Sequence, residues 1–192
     1  MKKLLFLAMI LLAGKLLLAQ TPYVRVDDYQ TKYEQVTHQT GVQCKITDYA
    51  IATLYAQLFD GLETSVRTVE VEGTVQYFYR IYRKEVKEQP AVEVFVAYDD
   101  FVELDRVLES MIAEEHKDKN ARKDYFENFY RTDDGFQIGY SIKSRQTHWY
   151  LVLDRYSEDK VFFDSVTKLK DHFKKALAKF EEVKKKNGNR IP

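Results

Sequence analysis

Hydrophobic and polar residues alternate with a period of two along much of the chain, which is typical of half-buried β-strands. Eight segments show this alternation or a short apolar run: 42–46, 66–71, 75–82, 92–98, 125–131, 136–142, 149–156 and 161–163. Gly73 and Gly135 lie between neighbouring segments and suit the positive φ of tight hairpin turns. Residues 22–40 are mixed and polar and indicate a short strand or an extended segment. The pattern predicts an antiparallel sheet.

Three further segments repeat their apolar residues at helical spacing. The first begins at Asp48 and ends before Gly61. The second begins at Asp100, which has Glu103 at the spacing of a capping box. The third begins near Asp164 and ends in three consecutive lysines, which are favourable at a helix C-terminus. Strands combined with segregated helices predict the α+β class.

The second half of the chain repeats the plan of the first. The apolar residues of the two later helices share a constant offset of 65 positions, and the two turn glycines differ by 62. We therefore predict an internal duplication with halves 62–118 and 125–186. Its product is an antiparallel sheet built from two pseudo-repeated strand-strand-strand-helix units, edge to edge, with the helices on one face. The other face is left to water or to a partner.

The N-terminus has the layout of a secretory signal peptide. A basic start, Met1-Lys2-Lys3, precedes an almost wholly apolar run that ends at Leu18, and Ala19 supplies a small residue for cleavage. The run is too short for a membrane-spanning helix and contains Lys15. We predict a signal peptide over residues 1–19 and a single exported domain over 20–192, in the periplasm or secreted, with no membrane span after cleavage.

Charge and cysteine content narrow the classes of partner. The chain has 30 basic and 30 acidic residues, and removal of Lys2, Lys3 and Lys15 leaves 27 against 30. A mildly acidic protein lacks the general attraction to phosphate that drives nucleic-acid binding, so we expect no nucleic-acid partner. The single cysteine, Cys44, cannot form an internal disulfide. Its place on the apolar side of a strand favours a buried thiol, with a reactive or intermolecular thiol as the alternative.

The chain contains none of the short motifs that carry catalysis, phosphate binding or zinc binding. His148 and Asp154 share a strand face but lie about 20 Å apart along an extended strand. The pairs Asp99-Asp100 and Asp133-Asp134 resemble calcium ligands in type, yet helix-start and turn positions explain them without a metal. We therefore predict no catalytic residue, no metal site and no cofactor.

The aromatic content is the most unusual feature, with 14 Tyr, 12 Phe and one Trp. Alternation places some of these rings on a sheet face that the helices leave open, next to arginines, which is the composition of recognition surfaces. Ordinary cross-strand aromatic pairing is the competing explanation. The candidate binding residues are Tyr77, Tyr79, Arg80, Arg83, Trp149 and Tyr150.

These features favour an exported, non-enzymatic binding or assembly protein that uses an aromatic and Arg-rich sheet face. Its expected partner is a protein of the cell envelope or the extracellular space, and self-association stays open. The alternatives are an exported hydrolase that uses dispersed residues such as His148, and a carrier that holds a small apolar ligand between helix and sheet.

Overall fold

The computed structural model describes residues 29–57, 61–85, 90–121, 124–155 and 159–188. In this part of the chain a short helix precedes two runs of strands, and a long helix follows each run. The helices are α1 (Lys32–Thr37), α2 (Tyr98–Ala121) and α3 (Val166–Gly188). The strands are β1 (Cys44–Ala50), β2 (Leu54–Tyr55), β3 (Gly61–Val71), β4 (Thr74–Arg83), β5 (Val92–Ala97), β6 (Phe126–Arg131), β7 (Gln137–Lys143), β8 (Gln146–Val152) and β9 (Lys160–Phe163). The signal peptide predicted over residues 1–19 lies outside the described residues.

The strands form two antiparallel sheets, which confirms the α+β class. The first sheet has the order β1-β3-β4-β5, with β2 also beside β3, and the second has the order β6-β7-β8-β9. A single edge-to-edge sheet was expected, but within the described residues no ladder joins β5 to β6. The reason is α2, whose 24 residues carry the chain about 36 Å away from the end of β5. The internal duplication stays a prediction.

Two local predictions in the N-terminal third differ from the structure. The prediction of a helix from Asp48 is wrong over residues 48–57, because β1 continues to Ala50 and pairs with β3 along its whole length. Residues 32–37, expected to be extended, form α1. Its start has a capping box in which the Thr31 hydroxyl accepts from the Glu34 backbone N–H, and the Glu34 carboxylate accepts from the Thr31 N–H. In β1, pairing with β3 outweighs the helical spacing of the apolar residues.

One hydrophobic core lies between α2, α3 and the faces of both sheets that these helices cover, which we call the inner faces. Phe101 on α2 is its centre and is fully buried. Its ring centroid lies 4.4 Å from that of Tyr79 on β4, 4.8 Å from that of Phe173 and 5.6 Å from that of Phe180. The core thus joins one sheet to both long helices. Among the described helices, none has an apolar segment long enough to cross a membrane.

A buried histidine lies in this core, on the side of α3 that faces the first sheet. His172 is 4% exposed. The Thr64 hydroxyl donates to the Ala52 carbonyl at 3.1 Å and lies 3.0 Å from His172 Nε2. Since the hydroxyl has one hydrogen, His172 donates through Nε2. Burial, with a smaller contribution from the positive charge of Lys175, lowers the pKa of His172 to about 4.

The low pKa of His172 makes stability depend on pH in a defined window. The pKa of His172 is about 4 in the folded protein, and that of an unperturbed histidine is about 6.5. Between these values the unfolded chain binds a proton that the folded protein does not, so stability rises with pH. Relative to neutral pH, we expect His172 to lower the free energy of unfolding by about 2 kcal/mol at pH 5.

Urea unfolding of wild type and His172→Gln at pH 5 and pH 7.5 measures this contribution. Glutamine retains an N–H donor for Thr64 but does not titrate. Wild type should lose more stability than the variant on acidification. An equal loss in both proteins would show that carboxylates alone account for the acid sensitivity.

Candidate binding surface

The outer face of the first sheet, opposite the core, carries two ion pairs that join neighbouring strands. Arg67 on β3 donates two hydrogen bonds of 2.7 Å to Asp48 on β1. Arg80 on β4 donates to Glu93 on β5 at 2.5 Å. Burial would raise the pKa of Asp48, but the hydrogen bonds and charge of Arg67 outweigh it and hold this pKa below its usual value. Charged groups on this face are thus already satisfied.

Helix α1 covers the apolar part of this outer face. The Tyr33 ring stacks on Phe95 with centroids 3.6 Å apart and meets Phe78 edge-on at 5.2 Å. Its hydroxyl accepts a hydrogen bond of 3.0 Å from Arg67 Nη1. Val36 is buried and adds to the same apolar cluster. A face that a single-sided arrangement of helices would leave open is therefore partly covered by the chain itself.

The start of α1 is tied to both halves of the structure through Lys32. Its ammonium lies 2.6 Å from an oxygen of Asp100, at the start of α2, and 3.6 Å from Asp133, in the turn between β6 and β7. Its backbone N–H donates to both oxygens of Asp134 at 3.1 and 3.2 Å. These three carboxylates belong to the pairs considered above as calcium ligands. Two of them approach the Lys32 ammonium group, and the third accepts from the Lys32 backbone N–H.

The outer face of the second sheet is built around the pair Gly139 and Tyr150. The two residues are directly opposite in the ladder of β7 and β8, and the Tyr150 hydroxyl donates across Gly139 to Glu127 on β6. A Cβ at Gly139 would lie 2.8 Å from the Tyr150 hydroxyl oxygen and 2.7 Å from the Asn128 carbonyl oxygen. The close approach therefore requires glycine at this position.

Lys160 on β9 completes a bridge across all four strands. Its Nζ lies 4.3 Å from the Tyr150 ring centroid and donates to Glu127. Burial would raise the pKa of Glu127, but hydrogen bonds from Lys160 and Tyr150 outweigh it and lower this pKa. Burial and the bond to Glu127 raise the pKa of Tyr150. The three side chains are thus paired with one another across the sheet.

Beside this bridge, two aromatic rings project into solvent from the side of β6. Phe129 is 49% exposed and Tyr125 is 61% exposed. The Arg131 guanidinium carbon lies 5.9 Å from the Phe129 ring centroid. In the amide orientation that satisfies both groups, the Gln137 side-chain oxygen accepts from Arg131 Nη2 at 2.9 Å and Nε at 3.1 Å. We call Tyr125, Phe129 and Arg131 the β6 patch.

The structure does not bring the six predicted binding residues together. Four lie on inner faces: Tyr77, Tyr79, Arg83 and Trp149. Tyr79 and Trp149 are buried in the core, so they have no surface to offer a partner. The other two lie on outer faces, Arg80 in its pair with Glu93 and Tyr150 beneath Lys160. Alternation separates the two faces of a strand correctly but does not say which face the helices cover.

Sequence reasoning alone does not select Phe129, Glu127 or Lys160. Glu127 and Phe129 lie on β6 and Lys160 lies on β9, and cross-strand register brings Glu127 and Lys160 to Tyr150. One sequence feature does mark the place. Gly139 interrupts an otherwise alternating strand, and such a glycine indicates close approach of other groups.

The residues considered for catalysis do not converge. His148 lies on the outer face opposite Ser141, with its ring 6.5 Å from that of Phe162, and Asp154 lies beyond the end of β8. Cys44 is half-buried and packs against the apolar cluster beneath α1. Within the described ranges, no group of three or more His, Cys, Asp or Glu side chains is placed to hold a metal ion.

The contacts above are the guide to function in this chain, because comparison with protein-family models, curated proteins and solved structures found no match to it.

Proposed function

We propose that this protein is a non-enzymatic binding protein that recognises an acidic segment of a partner protein through the β6 patch. The observation that carries the proposal is the solvent exposure of Phe129, 49%, beside Arg131. Aromatic residues, phenylalanine included, and arginine are enriched at protein interfaces relative to the rest of the surface.

Two of the three side chains of the β6 patch have contacts within the chain that hold them in place. Gln137 fixes the Arg131 guanidinium beside the Phe129 ring, and the Tyr125 hydroxyl donates to Glu127 Oε2 at 3.0 Å. Side chains held in place before binding lose less conformational entropy when a partner docks. Burial of Phe129 against a partner would also remove apolar area from water, which favours association.

Charge on the surrounding face favours an acidic partner. Among the strand residues on the outer face of the second sheet, the cations are Arg131, Lys143 and Lys160, and the one carboxylate is Glu127. Glu127 is paired with Lys160. Arg131 and Lys143 form no ion pair within the described part of the chain. Their positive charge would steer and orient a partner carboxylate.

The outer face of the first sheet is a weaker candidate for the same role. Helix α1 covers Phe78 and Phe95, and the arginines are paired with Asp48 and Glu93. A partner would have to displace α1 or break these pairs before binding. The second sheet carries no described helix on its outer face. We therefore place the interface on the second sheet.

We further propose that the chain is exported and that its partner lies in the cell envelope or the extracellular space. This part of the proposal is supported by the basic start and apolar run of residues 1–19 alone. Cleavage there would leave the described domain, with Lys32 near its new N-terminus.

Site-specific photo-crosslinking in producing cells tests both parts. A photoreactive benzophenone side chain replaces Phe129 in one strain and Ile46, 48% exposed on the first sheet, in a matched strain. We expect a discrete protein adduct from position 129 that position 46 does not give, and loss of this adduct in Arg131→Glu. Mass spectrometry of the recovered protein should also show that residues 1–19 have been removed.

Three outcomes would contradict the proposal. Equal adducts at positions 129 and 46 would show that exposure alone explains the reaction. Flotation of the purified protein with phosphatidylglycerol vesicles, without a protein adduct, would indicate a lipid surface instead. Retention of Met1 on exported material would contradict the signal peptide.

A further inference from the structure

Arg83 occupies an unusual place for a charged residue. It is the last residue of β4 and is paired in register with Leu62 on β3 and Val92 on β5. Leu62 belongs to the hydrophobic core, so alternation directs Arg83 to the inner face of the first sheet. The residue is only 6% exposed. A guanidinium group is therefore held at the end of an apolar surface.

Among the described residues, this guanidinium has no acidic partner of the kind that Arg67 and Arg80 have, and one of its nitrogens has no hydrogen-bond partner. The Nε atom of Arg83 is buried without a hydrogen-bond partner, and within the described residues no carboxylate lies within ion-pair distance of the side chain. Arg67 and Arg80, on the opposite face, each bind an acid. Arginine stays protonated in proteins, so burial without an anion leaves a charge uncompensated.

Helix α3 adds positive potential at the same end of the sheet. His172, near its start, contacts Thr64, which is the next inner-face residue of β3 after Leu62. Lys184, near its end, lies 5.9 Å from the ring of Tyr77, farther from Arg83 along β4. The helix therefore points its N-terminus toward the end of the sheet that holds Arg83. Helix N-termini attract anions.

We propose that Arg83 is the centre of a binding site for a small oxyanion, a phosphate or a carboxylate. The planar guanidinium fork matches two oxygens of such a group. Apolar neighbours lower the local dielectric constant, which strengthens the attraction between the two charges. The site lies on the inner face, separate from the β6 patch, and does not depend on the function proposed for that patch.

Thermal unfolding at low ionic strength tests this site. Sodium phosphate, sodium sulfate and sodium acetate are compared with sodium chloride at equal ionic strength. A bound oxyanion should raise the Tm of the wild-type protein by about 3–6 °C once its concentration exceeds Kd tenfold. The anion that gives the largest shift identifies the preferred oxyanion.

Two variants locate the effect. Arg83→Met keeps the length of the side chain without its charge, so it should show no shift beyond that in chloride. In chloride alone it should be at least as stable as wild type, because an unpaired buried charge is removed. Arg80→Met is the matched control. It should lose stability with the loss of its Glu93 pair, and still respond to the anion as wild type does.

Either of two results would overturn the proposal. An equal shift in wild type and Arg83→Met would place the anion elsewhere. A clear loss of stability in Arg83→Met in chloride would show that a carboxylate of this chain already pairs with Arg83. If Arg83→Met does not fold, the Arg83 Nε–H resonance of the wild-type protein decides the question, because the site requires it to shift with phosphate and not with chloride.

Discussion

Replacement of Phe101 with alanine is expected to lower the free energy of unfolding by about 3–5 kcal/mol. Phe101 is fully buried and its ring packs against Tyr79, Phe173 and Phe180. The substitution removes the ring that joins α2 to both α3 and the first sheet, and it leaves a cavity that these three rings cannot fill without movement. Urea unfolding at neutral pH, followed by circular dichroism, measures the loss.

Val102→Ala is the matched control, because Val102 is the next residue on α2 and is 41% exposed. We expect a change below about 0.5 kcal/mol for this variant. A similar loss in both variants would mean that α2 responds to any truncation. A loss below about 1 kcal/mol for Phe101→Ala would contradict the central place of its ring in the core.

Gly139→Ala is expected to destabilise the protein by about 3 kcal/mol and to displace Tyr150. The added Cβ would lie 2.7 Å from the Asn128 carbonyl oxygen and 2.8 Å from the Tyr150 hydroxyl. Both are below contact distance, and the carbonyl belongs to the backbone of β6, which cannot move without disturbing the ladder. The bridge from Tyr150 to Glu127 should therefore break.

Two measurements separate the loss of stability from the loss of the bridge. Urea unfolding gives the first. Spectrophotometric titration of the tyrosines gives the second, because the raised pKa of Tyr150 depends on burial and on Glu127 and should fall toward its usual value in the variant. Gly188→Ala, with open space around its Cβ, is the control and should change neither. An unaltered titration in Gly139→Ala would contradict the close approach of Tyr150.

Strand positions follow from the sequence because side chains in a sheet alternate strictly between two faces. The segment from Val75 to Tyr82 is recognisable in this way, and β4 extends it by one residue at each end. Gly73 and Gly135 mark the hairpins because both adopt positive φ. Helix α1 cannot be predicted from periodicity in the same way. Six residues give too short a window for helical periodicity, so only its capping box indicates it.

The binding surface is harder to predict for a different reason. Alternation shows that Tyr79 and Phe78 lie on opposite faces, but helices α2 and α3 decide that Tyr79 is buried against the core. Helix α1 then buries Phe78 from the other side. Neither outcome can be read from β4 itself. Phe129 stays exposed since no described helix packs on its side of the second sheet.

The two outer faces differ in how far their aromatic and charged side chains are covered or paired within the chain. On the first sheet, Phe78 and Phe95 are covered by Tyr33, and Arg67 and Arg80 are paired with acids. On the second, Tyr150 and Lys160 are used for internal bridging, and Phe129 with Arg131 is left at the surface. This difference is the basis for the proposal that the interface lies on the β6 patch.

The most direct test of that placement uses the partner protein that crosslinking captures at position 129. Its affinity is measured for three purified forms of this chain. Isothermal titration calorimetry compares wild type, Phe129→Ala and Ile46→Ala. We predict that Phe129→Ala binds at least about tenfold more weakly, whereas Ile46→Ala binds as wild type does. Equal affinity of wild type and Phe129→Ala, with both proteins folded, would contradict the account.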